Sequence, residues 1–319
     1  MKLFLAPIQG MTIAFYRNLY EEIFGGIDKY YAPFIATSNH KSSSPILFKD
    51  LKKENNNENI KIIPQLLGNN PEDFKHYASI ISDMGYKEIN WNIGCPYATV
   101  TKKKKGSGIL QHPDMVREFL EKVLKDNSYD LSVKMRLGLN DLDEGIEIVK
   151  ILNDYPIKNL IIHGRTGIQK YKGNVNLDSF ETLNSLSKHE IIYNGDIFTF
   201  EDFEKIQKRF PSIDKFMIGR GALRDPFLPL KIKGIDISNE EKLRKMKLFH
   251  DSVYNYYKNI LSGDKHLCDK MKEFWTYTSI HLDPNGKFFK KIKKAHKCDS
   301  YMKVIDQIFD PSNKWIDTL

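Results

Sequence analysis

The chain has 319 residues, is 41% hydrophobic and 28% charged, and carries a formal net charge of +8 with a pI near 9.0. That balance belongs to a globular protein, and no apolar run approaches the ~18 residues of a membrane span. Three cysteines (Cys95, Cys268 and Cys298) are too few, and odd in number, for a disulfide framework, and no Cys or His pair has zinc-ligand spacing, so no metal is expected.

The first seven residues lack the long apolar stretch and small-residue cleavage site of a signal peptide, and they read as a first strand at 3–6. With no anchor or leader signal, the sequence predicts a cytoplasmic protein without membrane attachment. Further β-type runs follow at 29–33, 61–66, 88–92, 131–135, 159–163, 190–194 and 215–218. Most are nearly continuous apolar stretches, as parallel strands buried on both faces require. Helical patterns lie between them at 13–24, 71–84, 113–126, 141–154, 177–187 and 200–209, and acidic first turns mark the starts near Asn70-Pro71-Glu72-Asp73 and Thr199-Phe200-Glu201-Asp202. The segment 37–60 is long, polar and Asn-rich and reads as an extended loop with room for a helical turn.

Eight strands alternating with helices make either a closed barrel or a doubly wound sheet. Gln65, Asn92, Lys134, His163 and Asn194 each stand at the C-terminal end of a different strand. A barrel gathers such ends around one mouth, where its active sites lie, whereas an open sheet spreads them along an edge. No Gly-rich dinucleotide fingerprint follows the first strand. The expectation is an α/β protein, a (β/α)8 TIM barrel over residues 1–234, followed by an all-helical domain over 235–319. That second stretch carries the aromatic anchors Phe249, Tyr254, Tyr257, Phe274, Trp275 and Tyr277. About six of the eight net positive charges fall within 231–319.

Cys95 follows the fourth strand in Asn92-Ile93-Gly94-Cys95-Pro96, where Gly94 permits a tight turn and Pro96 fixes the exit. A free cysteine is most often a small buried hydrophobe, but a thiol at a barrel mouth can serve as nucleophile or acid. The amide of Gln65, the ammonium of Lys134, the imidazole of His163 and the amide of Asn194 form a polar ring suited to a flat, anionic cofactor. In such a ring a lysine can stabilise the negative edge of a reduced flavin. The loops after strands seven and eight of a barrel often bind phosphate through backbone N–H groups. Here those loops hold Asn194-Gly195-Asp196 and Gly219-Arg220-Gly221. Lys102, Lys103, Lys104 and Lys105 lie on the loop that carries the thiol. As a solvated run they need no partner, but their place suits the approach of a polyanion.

These residues resemble the flavin-dependent tRNA-dihydrouridine synthases. The matching stretches run in order along the barrel: L-A-P-I-Q-G at 5–10, P-Q-L-L-G at 64–68, N-I-G-C-P at 92–96, G-S-G-I-L at 106–110, V-K-M-R at 133–136, H-G-R-T at 163–166, N-G-D-I at 194–197 and I-G-R-G-A at 218–222. The resemblance implies FMN along Pro7, Ile8 and Gln9, with Gln65, Lys134 and His163 at its ring and Asn194, Gly195, Asp196, Gly219 and Arg220 at its phosphate. NADPH or NADH would be the reductant. It implies tRNA as substrate, Cys95 as proton donor to uracil C5 and hydride delivery from flavin N5 to C6. Asn92, Arg136 and Arg165 are candidates for holding the uridine. Lys102 to Lys105, together with Lys287, Lys290, Lys291, Lys293 and Lys294, are candidates for the tRNA backbone. No protein partner is implied. The sequence departs from the family in having Ile8 where Met is usual, fewer glycines around 106–108, and an unusually basic run after Cys95. Two other readings remain open at this point: an FMN-dependent barrel reducing a small pyrimidine or enoate, and a catalytically silent RNA-binding module.

Overall fold

In the computed structural model, residues 1–38 and 44–317 are described; the 39–43 part of the long loop and the last two residues lie outside them. The chain divides into two compact units. The first comprises Met1–Arg17, Ile27–Asp196 and Ile206–Ile218; the second comprises Asn18–Gly26, Ile197–Lys205 and Gly219–Leu319.

Among the described residues, ten short parallel strands build the first unit: β1 Lys2–Leu5, β2 Lys29–Tyr31, β3 Ile35–Ala36, β4 Ile62–Ile63, β5 Gln65–Leu67, β6 Glu88–Ile93, β7 Asp130–Arg136, β8 Ile157–His163, β9 Ile191–Asn194 and β10 Lys215–Ile218. Each of β6 to β10 pairs with the next, and β10 pairs with β1. β1 then pairs with β2, β2 with β4, β3 with β5, and β5 with β6. Taken with their continuations, β2 and β3 are one stave and β4 and β5 another, so eight staves close into a ring. The closed barrel expected from the sequence is therefore observed. The two interruptions have a covalent cause. Pro33 and Pro64 fall within the runs expected to be the second and third strands, and a proline has no N–H to give to the ladder. The carbonyl of Pro64 still accepts from the N–H of Asn90 at 2.9 Å, which keeps that stave in register.

Helices Ala14–Ile23, Pro71–Asp83, Pro113–Val123, Leu142–Leu152, Leu177–Leu186 and Phe200–Arg209 occupy the predicted places to within a few residues. Their starts are written locally. The Asn70 side chain accepts from the Asp73 N–H with Pro71 in the first turn, and Asp141 and Asn176 cap their own helices in the same way. The long loop after β3 holds two 3-10 turns, Lys49–Leu51 and Lys53–Asn55, in place of an outer helix. It is fastened by Asp50, which accepts from the backbone N–H of Ala14 and pairs with the fully buried Arg17 at 2.8 Å.

Alternation along each strand divides its side chains between the barrel interior and the helix layer. On β6, Trp91 stacks on Phe119 of helix Pro113–Val123 with centroids 4.0 Å apart, while Asn90 and Asn92 take the opposite face. Phe4, Ala6, Tyr31, Ile63, Ile161, Ile192 and Met217 form a buried cluster. Gln65, His163 and Asn194 stand two residues beyond Ile63, Ile161 and Ile192, on the same face of their strands and nearer the C-terminal ends. An apolar interior thus lies beneath a polar mouth.

The second unit is mostly helical. Helices Asn239–Ile260, Asp264–Thr278, Lys287–Lys294 and Cys298–Ile308 follow one another. They pack around Met246, Phe249, Val253, Met271, Phe274, Trp275, Ile305 and Ile308, all buried. The Tyr301 hydroxyl links the fully buried His250, at 2.6 Å from Nε2, to the Trp275 Nε1–H, at 2.9 Å. Among the described residues no helix is long and apolar enough to cross a membrane.

Candidate active site at the barrel mouth

The mouth is built from strand ends brought together by register. Gln65 lies beside Asn90 across β5 and β6, Asn92 beside Lys134 across β6 and β7, and His163 beside Asn194 across β8 and β9. Side-chain bonds follow these neighbours. Asn92 Nδ2 donates to Gln65 Oε1 at 2.7 Å, and Lys134 Nζ donates to Asn194 Oδ1 at 2.8 Å. Asn194 Nδ2 in turn donates to the carbonyl of Met217 at 2.8 Å, which fixes the orientation of its amide. Gln65, Lys134, His163 and Asn194, grouped as a ring from the sequence, stand on β5, β7, β8 and β9, with Asn92 of β6 between the first two.

Cys95 is buried in a turn held from three sides. The N–H groups of Gly94 and Cys95 both donate to Asn92 Oδ1 at 3.0 Å. Arg136 Nε donates to the carbonyl of Gly94 at 3.0 Å. The carbonyl of Cys95 accepts from the N–H of Ser107 at 2.9 Å and from its hydroxyl at 3.1 Å. Gly106 has a φ of +56°, and a Cβ there would lie 2.5 Å from the Cys95 carbonyl oxygen, so the Gly106-Ser107 pair can approach only without a side chain at 106.

Burial pushes the Cys95 thiol above its ordinary range, while a backbone hydrogen bond from Tyr97 and the charges of Arg136 and Lys134 pull the other way without offsetting it. At neutral pH the group is a thiol, able to give a proton. Burial also lowers the Lys134 ammonium to about 7, with the Arg136 charge adding to the effect. That lysine is therefore poised to change charge near neutrality.

Arg136 and Arg165 are anchored by protein groups. Arg136 Nη1 donates to the carbonyls of Thr166 and Lys170 at 2.8 and 2.7 Å, and its guanidinium lies 5.5 Å from the Tyr171 ring. Arg165 is 2% exposed, makes a two-pronged ion pair with Asp196 and donates to the carbonyl of Gly173. After β1, Pro7 and Ile8 are half-buried and Gln9 is exposed, in a turn tied by the Ile8 N–H to Thr12 Oγ1 at 2.9 Å. A Cβ on Gly195 would meet the Tyr193 hydroxyl at 2.3 Å, so that position admits only glycine without rearrangement. Of the basic run, Lys102, Lys103 and Lys104 are exposed, and Lys105 Nζ donates to the Thr37 carbonyl at 2.9 Å. Gly219 and Arg220 fall in the second unit, where Arg220 lies 5.2 Å from the Phe198 ring. Lys290, Lys291, Lys293 and Lys294 line the helix Lys287–Lys294 of that same unit. Lys291 sits 5.6 Å from the Phe288 ring and Lys293 4.4 Å from the Phe289 ring.

Sequence reading gave no role to Asn90, Ser107, Ser132 or Tyr171. Asn90 carried a signal, since two asparagines spaced by two in the otherwise apolar Glu88–Ile93 stretch mark a polar inner face. Ser107 lay within the G-S-G-I-L stretch at 106–110 with no role assigned to it, and Ser132 carried no signal, because the partners of both depend on which strand and turn they meet.

Residues 4–308 match the dihydrouridine synthase family. The chain belongs to that family. Its reaction is a reduction, and the protein is an oxidoreductase. Relatives include tRNA-dihydrouridine synthase B of Pasteurella multocida, 31% identical over 71% of this chain and 67% of the relative, and tRNA-dihydrouridine synthase B of Shewanella oneidensis, 28% identical over 83% and 85%. A probable tRNA-dihydrouridine synthase of Staphylococcus epidermidis is 30% identical over 79% of this chain and 78% of the relative. Solved structures share the barrel at far lower identity. A 2-naphthoyl-CoA reductase superposes with a TM-score of 0.56 at 14% identity, over 73% of this chain and 50% of that one. Histamine dehydrogenase from Rhizobium sp. 4-9 gives 0.54 at 13% identity, and the likeness spans 73% of this chain but only 45% of that protein. These two speak for the fold alone. The family match continues through the helical segment to residue 308, which weighs against a stand-alone reductase of small pyrimidines or enoates.

Proposed function

We propose that this synthase reduces the 5,6 double bond of specific uridines in tRNA, using a bound flavin mononucleotide and a nicotinamide dinucleotide, NADPH or NADH, as the source of reducing equivalents. Acting on tRNA, it would work in the cytoplasm. The donor set at the mouth fits a flavin: buried amides at Gln65 and Asn194 for ring nitrogen and oxygen atoms, a cation at Lys134 for the anionic edge, and the side-chain-free Gly195 on the loop after β9. Pro7, Ile8, Gln9 and His163 are proposed as further contacts of the cofactor, and Asp196 as part of its phosphate loop. When bound, the flavin supplies a hydride to uracil C6.

The observation that carries this reading is the seat of Cys95, a buried thiol on a turn clamped by Asn92, Arg136 and Ser107 beside the polar mouth. A nucleophile needs a thiolate, and burial shifts the Cys95 thiol away from that form. A protonated thiol on a rigid turn suits delivery of a proton to C5. Hydride at C6 and proton at C5 together saturate the bond, leaving a thiolate that the nearby Arg136 and Lys134 charges stabilise until solvent returns a proton. Asn92 is proposed to orient the uracil near the thiol as well as to hold the turn. Arg136 and Arg165 are proposed to act on the substrate through the loops they fasten.

Reaching a base in folded tRNA requires extruding it from its stack. The basic segments fit a partner with a phosphate backbone. Lys102 to Lys104 are exposed beside the thiol loop, and Lys290, Lys291, Lys293 and Lys294 lie on one short helix of the helical unit, which is proposed to bind the tRNA. The test is to compare dihydrouridine in tRNA from cells with and without the gene, and to incubate purified, flavin-loaded protein with unmodified tRNA and reductant. Dihydrouridine at defined positions is expected; its absence from both experiments would overturn the reading.

A further inference from the structure

Behind Cys95, four side chains form an unbroken donor-to-acceptor series. The N–H groups of Gly94 and Cys95 donate to Asn92 Oδ1, each at 3.0 Å. Asn92 Nδ2 donates to Gln65 Oε1 at 2.7 Å, and Gln65 Nε2 donates to Asn90 Oδ1 at 2.7 Å. Asn90 Nδ2 then donates to Ser132 Oγ at 3.0 Å. Asn90 and Ser132 are completely buried and Gln65 nearly so.

The sense of this series is set at one end. A backbone N–H can only donate, so Asn92 must turn its oxygen toward the Cys95 turn and its NH2 toward Gln65. That choice forces the orientation of Gln65, which forces that of Asn90. Reversing any one amide brings two donors or two acceptors face to face in the barrel interior, where each unsatisfied group costs about 1–3 kcal/mol. The hydroxyl of Ser132 closes the series without conflict, because it can either accept or donate.

We propose that Asn90 and Ser132 are positioning residues for dihydrouridine formation: Asn90 accepts from the Gln65 NH2 and Ser132 from the Asn90 NH2, so that the Gln65 amide keeps, with no buried group left unsatisfied, the orientation Asn92 needs to clamp the turn carrying the Cys95 thiol. For what the thiol does, this rests on the function proposed above. Neither residue needs to touch cofactor or substrate. The series runs behind the mouth, from β7 through β6 and β5 back to the loop after β6, so the seat of the proton donor is held by the barrel wall itself. It also gives Gln65 two duties, since the amide proposed above to bond the cofactor is the one that accepts from Asn92.

The test uses the full-length protein and the variants Asn90→Leu, Ser132→Ala and Asn90→Asp. Asn90→Leu is expected to lower kcat about 10- to 100-fold, the scale set by misplacing a reacting group by about 1 Å, with KM for tRNA changed less than about twofold. The aspartate is expected to keep kcat within about threefold of the parent. Ionised, it accepts from both Gln65 and a reversed Ser132 hydroxyl; protonated, it donates to Ser132 as asparagine does. A second readout needs neither flavin nor tRNA. Alkylation of Cys95 by iodoacetamide, followed against pH and assigned by peptide mass to separate it from Cys268 and Cys298, is expected to be at least about fivefold faster in Asn90→Leu, because the thiol leaves its buried seat. Should Asn90→Leu fail to fold, Ser132→Ala carries the same comparison with a smaller change of about threefold. Parent-like kcat and parent-like alkylation in a folded variant would overturn the proposal, as would an aspartate variant as impaired as the leucine. If the parent itself makes no dihydrouridine, the functional reading falls, and the alkylation arm alone decides whether Asn90 and Ser132 seat the thiol.

Discussion

The Lys134 ammonium donates to Asn194 Oδ1 at 2.8 Å, joining the end of β7 to the strand end that leads into Gly195. Burial lowers this lysine to about 7, so its charge changes near neutral pH. An anionic cofactor gains from Lys134 only while the lysine is protonated. Flavin affinity is therefore expected to be nearly flat below pH 7 and to weaken above it, by up to about tenfold per pH unit until the pKa of the bound state is reached. Fluorescence titration of the apoprotein with FMN from pH 6 to 9, in parent and Lys134→Met, checks this; the variant should bind weakly with little pH dependence.

The same lysine has a consequence for folding. Its folded-state pKa of about 7 lies below the ordinary 10.5, so between those values the unfolded chain binds more protons than the folded one. Stability from this group therefore rises as pH increases through that window. Urea unfolding of the apoprotein at pH 7 and pH 9 should show a gain with pH that Lys134→Met lacks. An equal gain in the variant would place its origin elsewhere.

Cys95→Ala should retain visible flavin absorbance and lose most product, because the part proposed for the thiol is to give a proton and not to hold the cofactor. General-acid groups commonly contribute about 10²–10⁴-fold, and a loss in that range is expected in kcat. The raised pKa adds a pH signature: activity should persist through neutral pH and fall only where the thiol ionises, above its ordinary value of 9.0. Single-turnover rates of the reduced enzyme with tRNA across pH 7–10 test both points. Full turnover in Cys95→Ala would remove the acid role.

Arg165 is 2% exposed and shares its guanidinium between Asp196 and the Gly173 carbonyl. Arg165→Met strips the partly buried Asp196 of that partner, and breaking a buried pair in this way costs about 3–5 kcal/mol; Asp196 is 22% exposed at its side chain, so the lower end is expected. A drop in urea midpoint without a change in slope would register it. Lost activity with undiminished stability would instead assign Arg165 a direct contact with substrate.

Much of this arrangement was legible in the sequence, for definite reasons. Strands buried on both faces appear as short apolar runs, and a polar residue at the end of each is conspicuous against that background; Gln65, Asn92, Lys134, His163 and Asn194 stood out in this way. Other features depend on register. That Asn90 meets Gln65 on one side and Ser132 on the other follows from strand pairing across 25 and 42 residues of chain, which no local pattern encodes. The charges of Arg136 and Arg165 were equally visible, but not the carbonyls of Gly94, Thr166, Lys170 and Gly173 that receive them. Pro33 and Pro64 could be read as breakers, yet pairing of β2 with β4 and of β3 with β5 carries the barrel past both interruptions.

The helical unit offers a test that separates positioning of tRNA from chemistry. Lys287–Lys294 concentrates its ammonium groups on one short helix, and Lys290, Lys291, Lys293 and Lys294 are all exposed. Contacts with phosphate release counterions, so each one lost should reduce the slope of log affinity against log salt by about 0.7–0.9. Replacing the four lysines by glutamine is expected to lower that slope by up to about 3, raise KM for tRNA and leave flavin binding unchanged. A fall of that size requires all four to reach phosphate. Lys291 Nζ already donates to Gln307 Oε1 at 2.8 Å, so its single replacement should change the slope least. Electrophoretic mobility shifts at several salt concentrations, for the four single variants and the quadruple, resolve which lysines contact the backbone; a slope equal to that of the parent in the quadruple variant would move the tRNA-binding surface away from this helix.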